Sequence, residues 1–340
     1  MAVIADDRLN ELMFNGHDIA FGEREGKLER LPSPFANPQE FDRTLASLEQ
    51  LRGTVKTGAF QWDGMLPDGS RFHVTLPPQS PDSPTLTIRK FVRTHRGLEN
   101  LVSADALTAK AARFLDASVS ARLNILISGS TSSGKTSLLN ALCDRVDINE
   151  RIITVEDIPE IQLNHPNWVR MVSVFGERGA SLRDCVTGCL RMRPDRIVVG
   201  ECRSLEALEM LQSMNTGHDG GMTTIHANSA ADSLSRLESL ILIHAGTEIP
   251  LKTLRRQIVS ALDMIIHLRK LGDGRRQIEE ILELVSMEGE IITRQTIFKR
   301  SGPNEDAKLV CCGLVPTFAK YFDGENALPR NFFDPLAYEK

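Results

Sequence analysis

Aromatic residues are scarce in this chain: two tryptophans and two tyrosines among 340 positions. A groove that grips single-stranded nucleic acid by stacking bases on rings is therefore not advertised. The net charge of -5, with no run of five like charges, gives no electrostatic footprint for a duplex either. Long hydrophobic runs are also missing. The longest, LESLILIHAG at 237–246, falls far short of the roughly 18 residues that a membrane-spanning helix needs. The opening MAVIADDRLNEL lacks a basic stretch followed by an apolar one, so the chain reads as cytoplasmic. The six cysteines (143, 185, 189, 202, 311 and 312) include no C-x-x-C pair and sit inside apolar patterns. They read as reduced, mostly buried thiols, and Cys185 with Cys189 makes a poor metal pair.

What is present is ordinary globular composition, 41% hydrophobic and 25% charged, enough for two domains. Residues 1–95 read as a small α+β unit. It has strand-like residues around Glu25-Gly26, a helix capped by Asn37, a hairpin turn at Asp68-Gly69, a proline-rich loop at 77–84 and a strand in TLTIRKF. Residues 96–122 read as a linker with a connecting helix over 103–122. From 123 to 340, short β-rich runs (124–128, 151–156, 196–200, 222–226) alternate with amphipathic helices, the pattern of a parallel sheet with crossover helices. One helix is expected to present Leu182, Val186, Cys189 and Leu190 on a single face, and another Leu205, Leu208, Leu211 and Met214 before Gly217. A further helix is expected from Pro250 through Ile266, and GDGRR at 272–276 turns a hairpin.

The strongest local signal is NILISGSTSSGKTSLLNAL at 124–142. Gly129, Gly134, Lys135 and Thr136 satisfy G-x-x-x-x-G-K-[ST] between an expected strand and an expected helix. About 0.01 chance matches are expected in a chain this long from average residue usage. The pattern wraps main-chain N–H groups around β- and γ-phosphates and adds the positive end of a helix. The contacting loop is Gly129, Ser130, Thr131, Ser132 and Ser133, then Gly134, Lys135, Thr136 and Ser137. Lys135 is placed to neutralise β/γ-oxygens, and Thr136 to set its hydroxyl on Mg²⁺.

Hydrolysis of a bound ATP also needs acids near the metal and the attacking water, and parallel sheets deliver such groups from the carboxyl ends of their strands. One apolar run ends at Glu156-Asp157 with Glu160 one turn later, another ends in Glu201, and a third ends in His226.

The segments GSTSSGKT, ITVEDIPEIQL, LRMRPDRIVVGECR and MLQSMNTGHDGGMTTIHANSAADSLSRLE resemble, in order, the Walker A, Asp-box, Walker B and His-box segments of the secretion-superfamily (type II/type IV) ATPases. LPDGSRFHVTLPP, TLTIRKF and GLVPTFAKYF are most similar to the CpaF/TadA-type ATPases of tight-adherence pilus assembly, with VirB-type conjugation ATPases next. The resemblance runs from about residue 7 to 335. It implies an α/β fold in which a RecA-like P-loop NTPase domain follows a smaller α+β N-terminal domain. It further implies a homo-hexameric, Mg²⁺-dependent ATPase that docks on an inner-membrane platform protein, peripherally associated with the membrane and without nucleic acid. The competing class is a RecA-like nucleic-acid translocase.

Carried over by position, Lys135 and Thr136 match the Walker A pair and Glu201 the Walker B glutamate, with Thr136 and Glu201 as the implied metal contacts. Glu156, Asp157 and Glu160 match the Asp box and His226 the His box. Arg89 matches an arginine that forks onto phosphate, and Arg191, Arg193 and Arg203 resemble subunit-bridging arginines. Glu160 and Glu201 share the role of orienting water. The sequence departs from the family where Ser130 and Ser132 stand for glycines, and both are expected at negative φ. Cys202 is expected as a small core residue beside Glu201, and the chain is expected to lack a long leading segment.

Overall fold

The computed structural model describes residues 6, 8–24, 27–51, 60–90, 97–174, 179–244, 249–302 and 307–335. The chain divides into two compact units, Met1–Thr94 with Val174–Gly179, and His95–Ser173 with Ala180–Lys340.

In the first unit, strands β1 (Leu9–Asn15), β2 (Ile19–Arg24) and β3 (Lys27–Leu31) precede helix α1 (Pro38–Glu49), and β4 (Gln61–Met65), β5 (Arg71–Thr75) and β6 (Thr85–Arg89) follow it. They form one antiparallel sheet in the order β3-β2-β1-β6-β5-β4. Alternation in β5 and β6 sends Phe72, Val74, Leu86 and Ile88 inward, where they share a core with Phe41, Leu45 and Leu48 of α1. Asn37 caps α1 as expected, its side-chain oxygen accepting the Glu40 N–H at 3.0 Å. The Asp68-Gly69 turn joins β4 to β5, with Gly69 at φ 89° supplying the positive φ such a turn favours. Glu25-Gly26 lie outside the described residues.

The second unit opens with α2 (Leu98–Ser103) and α3 (Ala109–Ser120). The stretch expected as a linker with a single helix from 103 is thus two helices, broken at Asp105 (φ 54°) and restarted by the Thr108 cap. They belong to this unit's core: Phe114 is fully buried and lies within 6.3 Å of four other phenylalanine rings, at 298, 318, 322 and 333. At about 0.5–1.5 kcal/mol per ring pair beyond area burial, this cluster fixes α3 against the sheet.

The sheet is then laid down by β7 (Ile125–Gly129), α4 (Lys135–Cys143), β8 (Ile152–Glu156), β9 (Trp168–Val172), α5 (Leu182–Cys189), β10 (Arg196–Val199), α6 (Glu206–Asn215) and β11 (Met222–His226). It is completed by α7 (Ala230–His244), α8 (Leu251–Ala261), β12 (Met264–Lys270), β13 (Arg276–Glu288), β14 (Ile291–Arg300) and β15 (Leu309–Cys311). The strand order is β15-β14-β13-β12-β7-β11-β10-β8-β9. The six strands from β12 to β9 are mutually parallel, and β13 to β15 extend the sheet antiparallel. Successive residues of the central strands face opposite cores. Ile125 and Ile127 join Leu138 and Leu142 of α4 with the phenylalanine cluster, whereas Leu126 joins the apolar faces of α5 to α8. Both faces are covered, which is why these strands read as continuous apolar runs.

Three helix expectations need correction. The helix from Pro250 ends at Ala261, and Met264–Ile266 belong to central strand β12. In α5 the buried partner is Cys185, while Leu190 is exposed. In α6 the buried face is Ala207, Met210, Leu211 and Met214 rather than Leu205 and Leu208. A helix packed in a groove buries whichever stripe faces the sheet, and small residues such as Ala207 permit the closer approach. Among the described residues no helix is long and apolar enough to cross a membrane.

Candidate active site

Because β7, β8, β10 and β11 are parallel, their carboxyl ends open on one edge of the sheet. Gly129 ends β7, Glu156 ends β8, Gly200-Glu201 follow β10 and His226 ends β11. The loop 129–134 leaves β7 and turns into α4, whose first residue is Lys135. A Cβ on Gly129 would come within 2.6 Å of the Leu268 carbonyl oxygen, so the close pairing of β7 with β12 excludes a side chain there. Gly134 takes φ +97°, which lets the chain reverse and aim the first amides of α4 into the loop. Ser130 and Ser132 were both expected at negative φ, but Ser132 sits at φ 59°. The loop keeps the left-handed turn that glycine would make and bears the strain of a Cβ. The Ser133 hydroxyl is buried without a hydrogen-bond partner.

Lys135 connects the loop to the acids. Its buried ammonium donates to the carbonyls of Gly129 (3.1 Å) and Ser130 (2.9 Å) and to His226 Nδ1 (3.2 Å). His226 Nε2 lies 3.2 Å from Glu201 Oε1, and the other Glu201 oxygen accepts from Arg203 at 2.8 Å. Arg203 also approaches Asp157 (3.8 Å), whose second oxygen accepts from the Ser173 hydroxyl (2.7 Å). On the other side of Lys135, the Thr136 hydroxyl donates to Glu160 Oε2 at 3.3 Å. Burial and the neighbouring Lys135 charge hold the His226 pKa below its ordinary value, against the pull of Glu201. At pH 7 the ring is therefore neutral, accepting from Lys135 at Nδ1 and donating from Nε2 to Glu201. Burial lowers the Lys135 pKa too, and the charges of Glu201 and Glu160 oppose the shift.

The structure thus gathers Lys135, Thr136, Glu160, Glu201, Arg203, His226 and Asp157 at one edge. Glu156 takes a different position: its side chain is buried, Oε1 accepts the main-chain N–H groups of Glu160 and Ile161 (2.7 Å each), and burial pushes its pKa up to about 7. Arg191 and Arg193 precede β10 and so lie at the opposite end of that strand from Glu201, with Arg193 near Asp195 at 3.5 Å. Arg89 ends β6 in the first unit, half exposed and 3.9 Å from the Glu11 carboxylate. Cys202 is a core residue beside Glu201, as expected, and burial pushes its thiol up to about 12. Sequence reasoning missed Arg170. It donates to the Ile161 carbonyl at 2.6 Å and lies over the Trp168 ring, and no local motif marks it.

Among the described residues no cluster of three or more His, Cys, Asp or Glu forms a ready metal cage. A hydroxyl and carboxylates beside a phosphate loop are nonetheless the oxygen donors Mg²⁺ takes when substrate phosphates supply the rest.

A phosphate loop heading a helix, with acids on adjacent parallel strand ends, defines the class: a P-loop nucleotide-binding protein. Residues 42–296 match the family model described as type II/IV secretion system protein. A Mycobacterium tuberculosis relative named for conjugal transfer is 32% identical over 316 residues, covering 90% of this chain and 89% of its own. The conjugal transfer protein TrbB of Rhizobium radiobacter is 36% identical over 230 residues, 66% of this chain and 67% of its own. Among solved structures, the pilus retraction motor PilT with bound ADP (TM-score 0.58, 21% identity, 85% and 82% covered) shares the fold. So does the Legionella pneumophila ATPase DotB (0.56, 20%, 85% and 80%). The chain belongs to the type II/IV secretion system protein family.

Proposed function

We propose that this chain binds ATP with Mg²⁺ at the head of α4 and hydrolyses the γ-phosphate bond as one subunit of a homo-hexameric ring. The ring works in the cytoplasm against an inner-membrane platform protein of a pilus or secretion machine. The observation that carries the reading is the run of contacts Lys135–His226–Glu201–Arg203, with Glu160 at the Thr136 hydroxyl.

In this reading Lys135 exchanges two loop carbonyls for β- and γ-oxygens, a charge-assisted contact stronger than the neutral ones it leaves. The amides following Gly134 take the remaining phosphate oxygens. Thr136 and Glu201, with Glu160 alongside, hold Mg²⁺, which when bound neutralises charge that builds on the phosphates. Glu201 and Glu160 orient the attacking water and receive its proton. His226, neutral and wedged between Lys135 and Glu201, passes the loss of the terminal phosphate to β11 as a change of hydrogen-bond partner. The fork that the resemblance assigns to Arg89 belongs to the same proposal.

Purified protein with ATP and Mg²⁺ is expected to release phosphate, and Lys135→Ala to weaken ATP binding roughly 10- to 150-fold, as loss of a charge-assisted contact of about 1.5–3 kcal/mol requires. Parental turnover in that variant defeats the reading. Native mass measurement with and without nucleotide checks the ring, and any closed ring other than six overturns that part.

A further inference from the structure

The loop after β8 carries Glu160 but has no helix or strand of its own between Glu156 and Trp168. Something must hold its main chain, since a loop carrying an active-site carboxylate loses reach if it drifts by an ångström. Glu156 is 3% exposed, and one of its oxygens accepts from two successive amides, Glu160 and Ile161, at 2.7 Å each. The same Ile161 is held from its other side, where Arg170 of β9 donates to its carbonyl at 2.6 Å and brings Nε to 3.9 Å from the second Glu156 oxygen. The Glu156 side chain reaches this position by passing over Gly200 of the neighbouring strand connection, where an added Cβ would stand 3.0 Å from Glu156 Cγ. Gly200 cannot move aside: its N–H donates to the Val155 carbonyl and its own carbonyl accepts from Thr224, both at 2.8 Å.

We infer that Glu156, Arg170 and Gly200 form a latch that sets the position of Glu160 against the phosphate loop, so that Glu156 is a positioning residue for hydrolysis and does not itself touch nucleotide, metal or water. The inference rests on the proposed ATPase reading and narrows it, because the Asp box then divides its labour. Glu156 grips main chain, Asp157 takes Ser173 and Arg203, and Glu160 faces Thr136. What the latch requires of residue 156 is an acceptor oxygen at the end of a two-carbon stem. Its negative charge is not what the amides read, and glutamine offers the same oxygen. The preference for glycine at 200 follows from the same geometry, since an added Cβ would press on the stem at 3.0 Å from Glu156 Cγ.

The test is a set of variants measured for ATP turnover and for affinity toward a nonhydrolysable ATP analogue. Glu156→Ala is expected to lower kcat tenfold or more, up to the roughly 100-fold that an ångström of misplacement can cost, while KM and analogue affinity stay within about threefold. Glu156→Gln is expected to restore at least a third of parental kcat. Gly200→Ala, which keeps Glu156 but crowds its stem, is expected to lower kcat in the same direction as Glu156→Ala and to keep analogue affinity. If Glu156→Gln is as damaging as Glu156→Ala, the carboxylate acts by charge on the reacting groups and the latch is overturned. Unchanged kcat in Glu156→Ala or in Gly200→Ala overturns it equally. Should Glu156→Ala fail to fold, the Gln and Gly200→Ala arms still decide. Parental protein that turns over while Lys135→Ala does not leaves the proposed function standing whatever the latch variants do.

Discussion

Strand β10 has an arginine–carboxylate pair at each end, and the two pairs behave as different materials. At the amino end, Arg196 is 1% exposed. It donates from two nitrogens to both oxygens of Glu150 (2.6 and 3.0 Å) and reaches the carbonyls of Val119 (2.9 Å) and Gly220 (3.5 Å). Gly220 sits at φ +82° with the guanidinium where a Cβ would be. At the carboxyl end, Arg203 is about half exposed, holding Glu201 at 2.8 Å and Asp157 at only 3.8 Å. The buried pair is surrounded by fixed acceptors, and Arg122 backs the same Glu150 carboxylate at 3.8 Å. Desolvation makes it costly to break and unable to respond. The exposed pair is screened and weak as a source of stability, which leaves its partners free to exchange. Within one sheet, the edge that carries strand starts is built for permanence and the edge that carries strand ends for chemistry.

The sharpest way to break this contrast is Arg196→Ala, expected to cost about 3–5 kcal/mol of unfolding free energy because it removes the buried two-pronged partner of Glu150 and leaves Arg122, at 3.8 Å, as the remaining cation beside it. Denaturant titration reads it, and a loss under 1 kcal/mol would erase the distinction. Next in size, Glu201→Gln is expected to cut turnover at least 100-fold, about 2.7 kcal/mol of barrier, with analogue affinity and melting temperature held. A melting temperature that drops with activity would place Glu201 among the structural pairs. Arg203→Ala should lower turnover about tenfold, roughly 1.4 kcal/mol, and unfolding free energy by less than about 1 kcal/mol.

The smallest effect concerns Asp263, at the start edge, which accepts the Asn124 N–H at 2.8 Å. Burial first, aided by the charges of Asp219 and Glu283, pushes its carboxyl up to about 6. The folded state therefore binds this proton more tightly than the unfolded chain. Its cost to stability is absent below about pH 4 and fully present above about pH 6. The rise to about 6 corresponds to about 3 kcal/mol. A neutral amide gives up part of this in a weaker bond from the Asn124 N–H, so Asp263→Asn is expected to gain about 1 kcal/mol at pH 8 and nothing at pH 4. Melting curves at the two values check the sign, and a gain that grows on acidification contradicts it.

The parts of the site legible in the chain were those whose chemistry is local. The phosphate loop, Lys135 and Thr136 follow from a short run whose glycines, strand and helix are consecutive, and Glu201 and His226 follow from apolar runs that stop at a polar residue. Other parts were unreadable for definite reasons. Met264–Ile266 continue an apolar run that fits a helix or a fully buried strand equally well, and only the partners β7 and β13 decide between them. The buried face of α6 depended on which stripe the sheet met. Ser132 adopts a positive φ because the loop's closure around Lys135 outweighs the local preference of serine. Arg170, nine residues along the chain from Ile161, becomes its hydrogen-bond partner only through the pairing of β9 with β8.

By itself the amino-acid order determined that an anion cradle would form at the head of a helix and that carboxylates would follow apolar strands, because both depend on contacts within a few residues. Only the tertiary structure decided which carboxylates meet the cradle and which grip main chain. Glu156 and Glu160 are the same residue type four positions apart, and burial beneath Gly200 turns one inward to two amides while the other is left beside Thr136. That division is set by distances across the sheet, where parallel pairing places residues far apart in the chain at hydrogen-bonding range.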